Sequence, residues 1–473
     1  MTMKAIKYLM LGALMIGFST QSMAQDDKAT IEAAKSLIKS KPADLDKQMK
    51  DFYKKNKKNP VVLTGVSRAY YDAKDTANAR VFANYAIEAS AKNRAQAAGA
   101  YIVLGDIAAL ANDGGAAAQN YNQATYADPK NPDGYYKYAL VYRKVSPQGA
   151  VDKLQELKKQ VPDYPVEAIS GHIYYISNEF TRAADKYKEA GLNKLEDSYI
   201  TEYAMSLYFT GKNQEAYDVA KFGASKSPRN AGYNRLAFFN ATELKQYDEA
   251  LQYADALFNK SDSAKFSYMD YTYYGNALNG LKRSDEAIEA YKKALEMEFD
   301  NTDKKAGVIK QLAEAYKDKD DHDNAIKHHI EYMNTVSKSG ANDIAGLAQL
   351  YINKAASLTN PAEQRECFEK ALAEYAKIDT DPEFAAFMSA RVANYMDPEL
   401  KEGLAKPYYE KLVSLITAKS EKEASDAPRL KQSYWYLASY YMMNDNDAQA
   451  KEYWQKLLEI DPENENAKKA LSL

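Results

Sequence analysis

The stretch that decides the fold runs from Tyr434 to Pro462 and reads YWYLASYYMMNDNDAQAKEYWQKLLEIDP. The turn Asn444–Asp447 separates two apolar runs, and Pro462 ends the second because proline has no N–H to donate to a helix. The stretch therefore predicts a helical hairpin of about 34 residues. Its apolar residues recur three and four apart, which places each run on one helical face: Tyr434, Leu437, Ala438 and Tyr441, then Ala450, Trp454 and Leu457.

The same intervals recur along most of the chain, most closely in the stretches that begin at Tyr101 and Tyr271. We predict about eleven such units between Pro60 and Pro462. Trp454 aligns by spacing with Tyr121 and is expected to pack between the two helices of its hairpin. The stretch that matches the intervals of Tyr434–Pro462 most closely contains Tyr101, Leu104, Gly105, Ala108, Ala117, Tyr121, Ala124, Asp128 and Pro129.

This repeating pattern resembles the tetratricopeptide repeat (TPR) family. The resemblance implies an all-α, right-handed superhelical solenoid with capping helices, in which the first helix of each hairpin lines a concave groove. It also implies a scaffold that binds other proteins without performing chemistry. Within this pattern we predict an N-terminal capping region over residues 25–59 and a regular array over 60–338. Irregular TPR-like units follow over 339–426, and the last repeat with a cap helix occupies 427–473.

The N-terminal residues 1–24 predict an export signal. Lys4 and Lys7 precede the apolar run Tyr8–Phe18, which is too short to cross a bilayer, and small residues lead to Ala24. We expect cleavage after Ala24, and no cysteine lies there to carry a lipid. The pattern resembles exported proteins of the Bacteroidota, so a periplasmic or secreted location is expected.

Composition argues against several functional classes. The net charge of −3 and the lack of a basic cluster argue against nucleic-acid binding. The single cysteine, Cys367, cannot form an internal disulfide and is expected to be a structural thiol. No phosphate-binding loop, nucleophile motif or metal-ligand spacing is present, so we expect no cofactor, no metal and no enzymatic activity.

The residues that could contact a partner lie on the groove side of the first helices, as the resemblance implies. Tyr136, Tyr175, Tyr208 and Phe239 would form an aromatic stripe there, although neighbouring helices could also cover them. The full set of candidate partner-binding residues is Tyr71, Tyr136, Arg143, His172, Tyr175, Met205, Tyr208, Arg235, Phe239, Asn276 and Lys310.

Three functions remain open from the sequence. The first is an exported adaptor that binds protein partners, with self-association through the end repeats also possible. The second is a solenoid that binds glycan or peptidoglycan through the tyrosines. The third is an enzyme with dispersed carboxylates. Asn276 and Lys310 additionally suggest a clamp for a partner's terminal carboxylate, as in some members of the resembled family.

Overall fold

The computed structural model describes residues 25–472, and in that range every regular element is a helix. The predicted export signal over residues 1–24 lies outside the described residues. The α-helices are numbered here in chain order. In the first half they are α1 (Gln25–Ser40), α2 (Leu45–Asn56), α3 (Pro60–Asp72), α4 (Thr76–Ala89), α5 (Ala98–Leu110), α6 (Gly114–Ala127), α7 (Pro132–Tyr142), α8 (Pro147–Gln160), α9 (Val166–Tyr175), α10 (Phe180–Ala190), α11 (Asp197–Phe209) and α12 (Asn213–Lys226).

The helices of the second half continue the same alternation. They are α13 (Ala231–Glu243), α14 (Tyr247–Asp255), α15 (Tyr268–Gly280), α16 (Ser284–Leu295), α17 (Thr302–Asp318), α18 (His322–Thr335), α19 (Ala341–Ser357), α20 (Pro361–Tyr375), α21 (Pro382–Met396), α22 (Lys406–Thr417), α23 (Asp426–Met443), α24 (Asp447–Ile460) and α25 (Glu465–Ala470). Short 3₁₀ turns lie at Ser90–Lys92, Arg94–Ala97 and Leu192–Lys194, and a π-helical turn at Ala256–Lys260 follows α14.

From α3 onward, consecutive helices pack as hairpins, α3 with α4, α5 with α6, and so on to α23 with α24. The prediction of an all-α chain of helical hairpins is confirmed. The Tyr434–Pro462 stretch forms the predicted hairpin. Its first helix, α23, ends at Met443, and Asp445 in the turn has a φ of 54°. Its second helix, α24, ends at Ile460, two residues before Pro462.

The tight turns inside several hairpins share one backbone geometry and one pattern of hydrogen bonds. A single residue with positive φ reverses the chain, as at Asn112 (59°) and Lys282 (63°). The next N–H donates five residues back, from Asp113 to the Ala108 carbonyl at 2.9 Å, which satisfies a helix-end acceptor. The Asp113 carboxylate then accepts from the Ala116 N–H at 2.9 Å and caps the second helix. Short polar turns therefore end one helix and start the next.

The chain divides into two compact units, one ending at Lys226 and the other beginning at Ser227. Each unit has its own apolar interior, with Leu63, Val66 and Phe82 buried in the first and Tyr291, Leu312 and Tyr409 buried in the second. The predicted change in repeat regularity at residue 339 lies at a different point and stays a prediction.

Trp454 and Cys367 both lie in the interior of the second unit. Trp454 is 4% exposed and packs in the core of α21–α25, so its predicted packing role is confirmed. The Cys367 thiol is free and buried on α20, and burial raises its pKa, which is typical of an unreactive thiol.

Candidate functional site

A glycine and a tyrosine interlock the two helices in several hairpins, at a fixed spacing of 16 residues. An added Cβ at the glycine would lie 2.4–2.7 Å from a ring carbon of the tyrosine, so the ring occupies the space of the missing side chain. Close approach of the two helices thus requires glycine at that position. The pairs are Gly105 with Tyr121, Gly171 with Tyr187, and Gly275 with Tyr291.

In two of these hairpins the residue after the glycine accepts a hydrogen bond from the tyrosine hydroxyl. Tyr121 donates to the Asp106 Oδ1 at 2.7 Å, and Tyr291 donates to the Asn276 Oδ1 at 2.8 Å. Asn276, a predicted site residue, is therefore already engaged within its own hairpin.

Asp106 is the centre of a charged cluster on hairpin α5/α6. Its carboxylate is buried and lies 2.7 Å from the Arg68 Nη1 and 2.8 Å from the Lys137 Nζ. Burial opposes the charged form, but the attraction of Lys137 and Arg68 outweighs it and lowers the pKa of Asp106. Arg68 also lies over the ring of Tyr71, 5.2 Å from its centroid, so Tyr71 borders this cluster.

His172 and Glu202 form a second cross-hairpin pair, between α9 and α11. The His172 Nδ1 lies 2.9 Å from the Glu202 Oε2, and the buried Tyr187 hydroxyl donates to the same oxygen. Burial first, then the charge of Glu202, raises the pKa of Tyr187. Glu202 thus ties two hairpins together through His172.

Five side chains of α9–α11 form what we call the aromatic patch: Tyr175, Phe180, Met205, Tyr208 and Phe209. The Tyr175 hydroxyl donates to the Met205 sulfur at 3.3 Å. Ring centroids lie 5.9 Å apart between Tyr175 and Phe180, 4.7 Å between Phe180 and Phe209, and 5.7 Å between Tyr208 and Phe209. Phe209 remains 52% exposed. The patch is therefore a connected cluster with one open aromatic edge.

Arg143 borders the aromatic patch from the preceding hairpin. Its Nη1 donates to the Ile176 carbonyl at 3.2 Å, one residue beyond Tyr175. Its Nε is buried without a hydrogen-bond partner, and burial lowers the pKa of the guanidinium. It forms no ion pair within the part of the chain that the structure describes.

In the second unit, two predicted site residues form inter-hairpin contacts. Arg235 binds the fully buried Asp270 through Nε at 2.6 Å and through Nη2 at 3.1 Å. Phe239 is buried and stacks on Tyr273 with centroids 4.0 Å apart and an interplanar angle of 12°. These contacts join α13 to α15.

Lys310 donates to the Asp343 Oδ1 at 2.8 Å, and the Tyr332 hydroxyl donates to the same oxygen at 3.0 Å. Asp343 also accepts from the Gly340 N–H at the start of α19. Lys310 therefore contacts a carboxylate of its own chain, as Asn276 contacts a tyrosine. The clamp made by these two residues stays a prediction.

Of the predicted aromatic stripe, the structure brings Tyr175 and Tyr208 together in one patch. Tyr136 is half-buried on α7, and Phe239 belongs to the other unit. Sequence reasoning missed Phe180, Phe209 and Glu202. Phe209 is the last residue of α11. An aromatic residue two positions before the turn glycine Gly211 was the sequence signal that could have indicated its exposure.

Residues 25–472 contain neither a metal-binding cluster nor a membrane-spanning helix. No group of three or more His, Cys, Asp or Glu side chains there could hold a metal ion. No helix in that range is long and apolar enough to cross a membrane.

Comparison with known proteins places one hairpin in a family. The tetratricopeptide repeat family matches residues 271–301, which cover most of α15 and α16. A search of curated proteins finds no match to the chain.

Several solved structures match parts of the chain. The C-terminal part of a TPR repeat-containing protein from Cytophaga hutchinsonii is 23% identical, with a TM-score of 0.45, over 58% of this chain and 100% of that chain. A tetratricopeptide repeat protein from Parabacteroides merdae is 16% identical, with a TM-score of 0.34, over 54% and 97%. PilF of Pseudomonas aeruginosa is 15% identical, with a TM-score of 0.33, over 42% and 91%.

The paired helices and their glycine–tyrosine interlocks define an all-α helical-hairpin protein. The family match on hairpin α15/α16 identifies that hairpin as a tetratricopeptide repeat.

Proposed function

We propose that this protein is a non-enzymatic adaptor that binds a segment of another protein through the aromatic patch on α9–α11. The observation that carries the proposal is the exposed edge of a connected aromatic cluster, with Phe209 52% exposed beside Tyr208 and Phe180. Aromatic residues and methionine are enriched in interface cores, where a few anchors supply most of the binding energy.

The energetic reason is simple. Fully burying a phenylalanine side chain is worth about 1.5–3 kcal/mol, so covering the open half of Phe209 supplies about 1 kcal/mol. Neighbouring rings raise that value because they add aromatic contacts to the same ligand surface. A partner segment with its own apolar side chains would gain this energy without any chemical step.

The proposal includes export, which rests on the sequence of residues 1–24. A periplasmic or secreted protein of this kind would present or assemble other envelope proteins. Nothing in its activity as an adaptor requires a cofactor.

Site-specific photocrosslinking tests the docking surface. A photoreactive phenylalanine replaces Phe209 in the full chain, and in a control it replaces Tyr126, which is 57% exposed on α6 outside the patch. We expect a discrete crosslinked protein band at position 209 in the cells of origin, and none at 126. Equal crosslinking at both positions, or none at 209, would contradict the proposal. Binding to a glycan array without any protein crosslink would favour the glycan alternative.

A further inference from the structure

Four successive hairpins of the first unit carry an apolar side chain where the first helix ends. Leu110 ends α5 and is 50% exposed, Val145 follows α7 and is 76% exposed, and Phe209 ends α11 and is 52% exposed. Ile176, directly after α9, is half-buried. Because the chain reverses in every hairpin and neighbouring first helices contact each other, these ends lie along one edge of the array. We call the four residues the turn ridge.

Direct contacts join the four turns in chain order. The first is 3.6 Å, between an ideal Cβ at a glycine that begins α6 and a valine Cγ1 in the last turn of α7. The second is a hydrogen bond of 3.2 Å from the α7/α8 turn to the α9/α10 turn, and the third is 4.7 Å between two ring centroids. The contacting pairs are Gly114 with Val141, Arg143 with Ile176, and Phe180 with Phe209. The turn ridge is therefore continuous with the open edge of the aromatic patch.

Arg143 lies on the turn ridge, two residues before Val145, and has unused hydrogen-bond donors. A guanidinium has five N–H groups, and among residues 25–472 that of Arg143 forms one hydrogen bond, from Nη1, and no ion pair. The side chain is half-buried, so the charge is partly withdrawn from water without a carboxylate to compensate for it. A carboxylate supplied by a ligand would provide that compensation.

The charges at the four turns also favour an acidic ligand. Both acids there are engaged, because Glu179 accepts from Arg182 at 2.8 Å and Asp113 caps α6 at 2.9 Å. Two exposed lysines, Lys144 and Lys212, add positive charge on either side of the α9/α10 turn. Such a surface attracts an acidic segment and repels a basic one.

The spacing of the hairpins sets the length of the ligand. Packed helices lie about 8–10 Å apart, and two steps of the array separate Arg143 from Phe209, which gives about 16–20 Å. An extended chain covers about 3.3–3.6 Å per residue, so about six residues bridge that distance.

We propose that the turn ridge binds an extended segment of the protein partner, with an aspartate or glutamate side chain on Arg143 and an apolar side chain about six residues later on Phe209. The carboxylate pairs with the guanidinium donors that the chain itself leaves unused, and an apolar residue beside the acid covers Val145. The inference rests on the proposed function, because Phe209 belongs to the aromatic patch.

Three peptides test the inference without knowledge of the partner. The peptide LESSSSSW has the predicted separation of acid and apolar side chain, LQSSSSSW lacks the charge, and LESW is too short to bridge the two sites. Each carries a neutral fluorophore and a C-terminal amide, so the glutamate is its sole carboxylate. Binding to the full chain is measured by fluorescence anisotropy at low salt.

We expect LESSSSSW to bind about five-fold more tightly than either of the other peptides. Arg143→Gln should abolish the preference for glutamate over glutamine, whereas Lys144→Gln, the same charge change at the exposed neighbour, should keep it. Val145→Ser should weaken the binding of LESSSSSW, and at a position this exposed it leaves the packing intact. Circular dichroism checks that each variant is folded. Equal binding of LESSSSSW and LQSSSSSW to the wild type, or equal effects of Arg143→Gln and Lys144→Gln, would overturn the inference.

The two proposals fail separately. Loss of the Phe209 crosslink in cells, with the preference for LESSSSSW over LQSSSSSW retained, would refute the adaptor proposal alone. A retained crosslink, with the two peptides bound equally, would refute only the acidic-segment inference.

Discussion

Replacement of Gly275 by alanine should destabilise hairpin α15/α16, although alanine is the better helix former. The added Cβ would lie 2.5–2.8 Å from three carbons of the Tyr291 ring, a distance that side chains do not tolerate. The ring is buried and its hydroxyl is bonded to Asn276 at 2.8 Å, so it cannot simply turn away.

The expected size of the effect follows from two opposing contributions. Overpacking in a close-packed interior costs about 1–3 kcal/mol, and the higher helix propensity of alanine returns about 1 kcal/mol. We expect a net loss of up to about 2 kcal/mol in the local unfolding free energy. The matched control is Gly307→Ala on α17, where an added Cβ meets no atom within 4 Å. That change should stabilise its helix by up to about 1 kcal/mol.

Hydrogen exchange measured by mass spectrometry is the suitable assay, because a repeat chain can open locally without global unfolding. Peptides from α15 and α16 should exchange faster in Gly275→Ala, and peptides from α17 slower in Gly307→Ala. If hydrogen exchange slows equally in the two variants, the contact of Gly275 with the Tyr291 ring does not exclude a side chain at position 275, and the argument is wrong.

Three further predictions use single residues. Trp435 is 43% exposed and Trp454 is 4% exposed, so Trp435→Phe should abolish most iodide quenching of tryptophan fluorescence; strong residual quenching would contradict the burial of Trp454. Burial raises the pKa of Tyr436 to about 12, so the stability that its neutral hydroxyl contributes should be complete below pH 10 and be lost as the pH rises through 12. Alkaline unfolding titrations should therefore show a steeper loss of stability for the wild type than for Tyr436→Phe. Parallel curves would refute this prediction. Asp106→Ala should cost about 2–3 kcal/mol in the free energy of unfolding, because Arg68 and Lys137 lose their shared carboxylate, and a urea midpoint equal to that of the wild type would argue against this role.

The helical hairpins could be predicted from the sequence because local spacing determines them. Apolar residues three and four apart, polar turns and a terminal proline define each hairpin without knowledge of distant contacts. The same spacing placed Trp454 in line with Tyr121, and both are buried. Predictions of this kind depend only on residues a few turns apart.

The contacts on the binding face could not be predicted in the same way. His172 and Glu202 lie 30 residues apart, and their pairing depends on how neighbouring hairpins pack. The exposure of Phe209 depends on the direction of the α11–α12 turn, which spacing does not determine. Lys310 similarly resembles a solvated lysine in the sequence, whereas the structure places it on Asp343.

The central claim is that the aromatic patch on α9–α11 holds a protein partner. The most direct test is the dissociation constant of the partner identified by the Phe209 crosslink, measured with Tyr175→Ala plus Phe209→Ala and with Tyr126→Ala. The account predicts at least about a ten-fold weaker complex for the patch variant, as for interface anchors, and no change for Tyr126→Ala. An unchanged dissociation constant in a folded patch variant would contradict it.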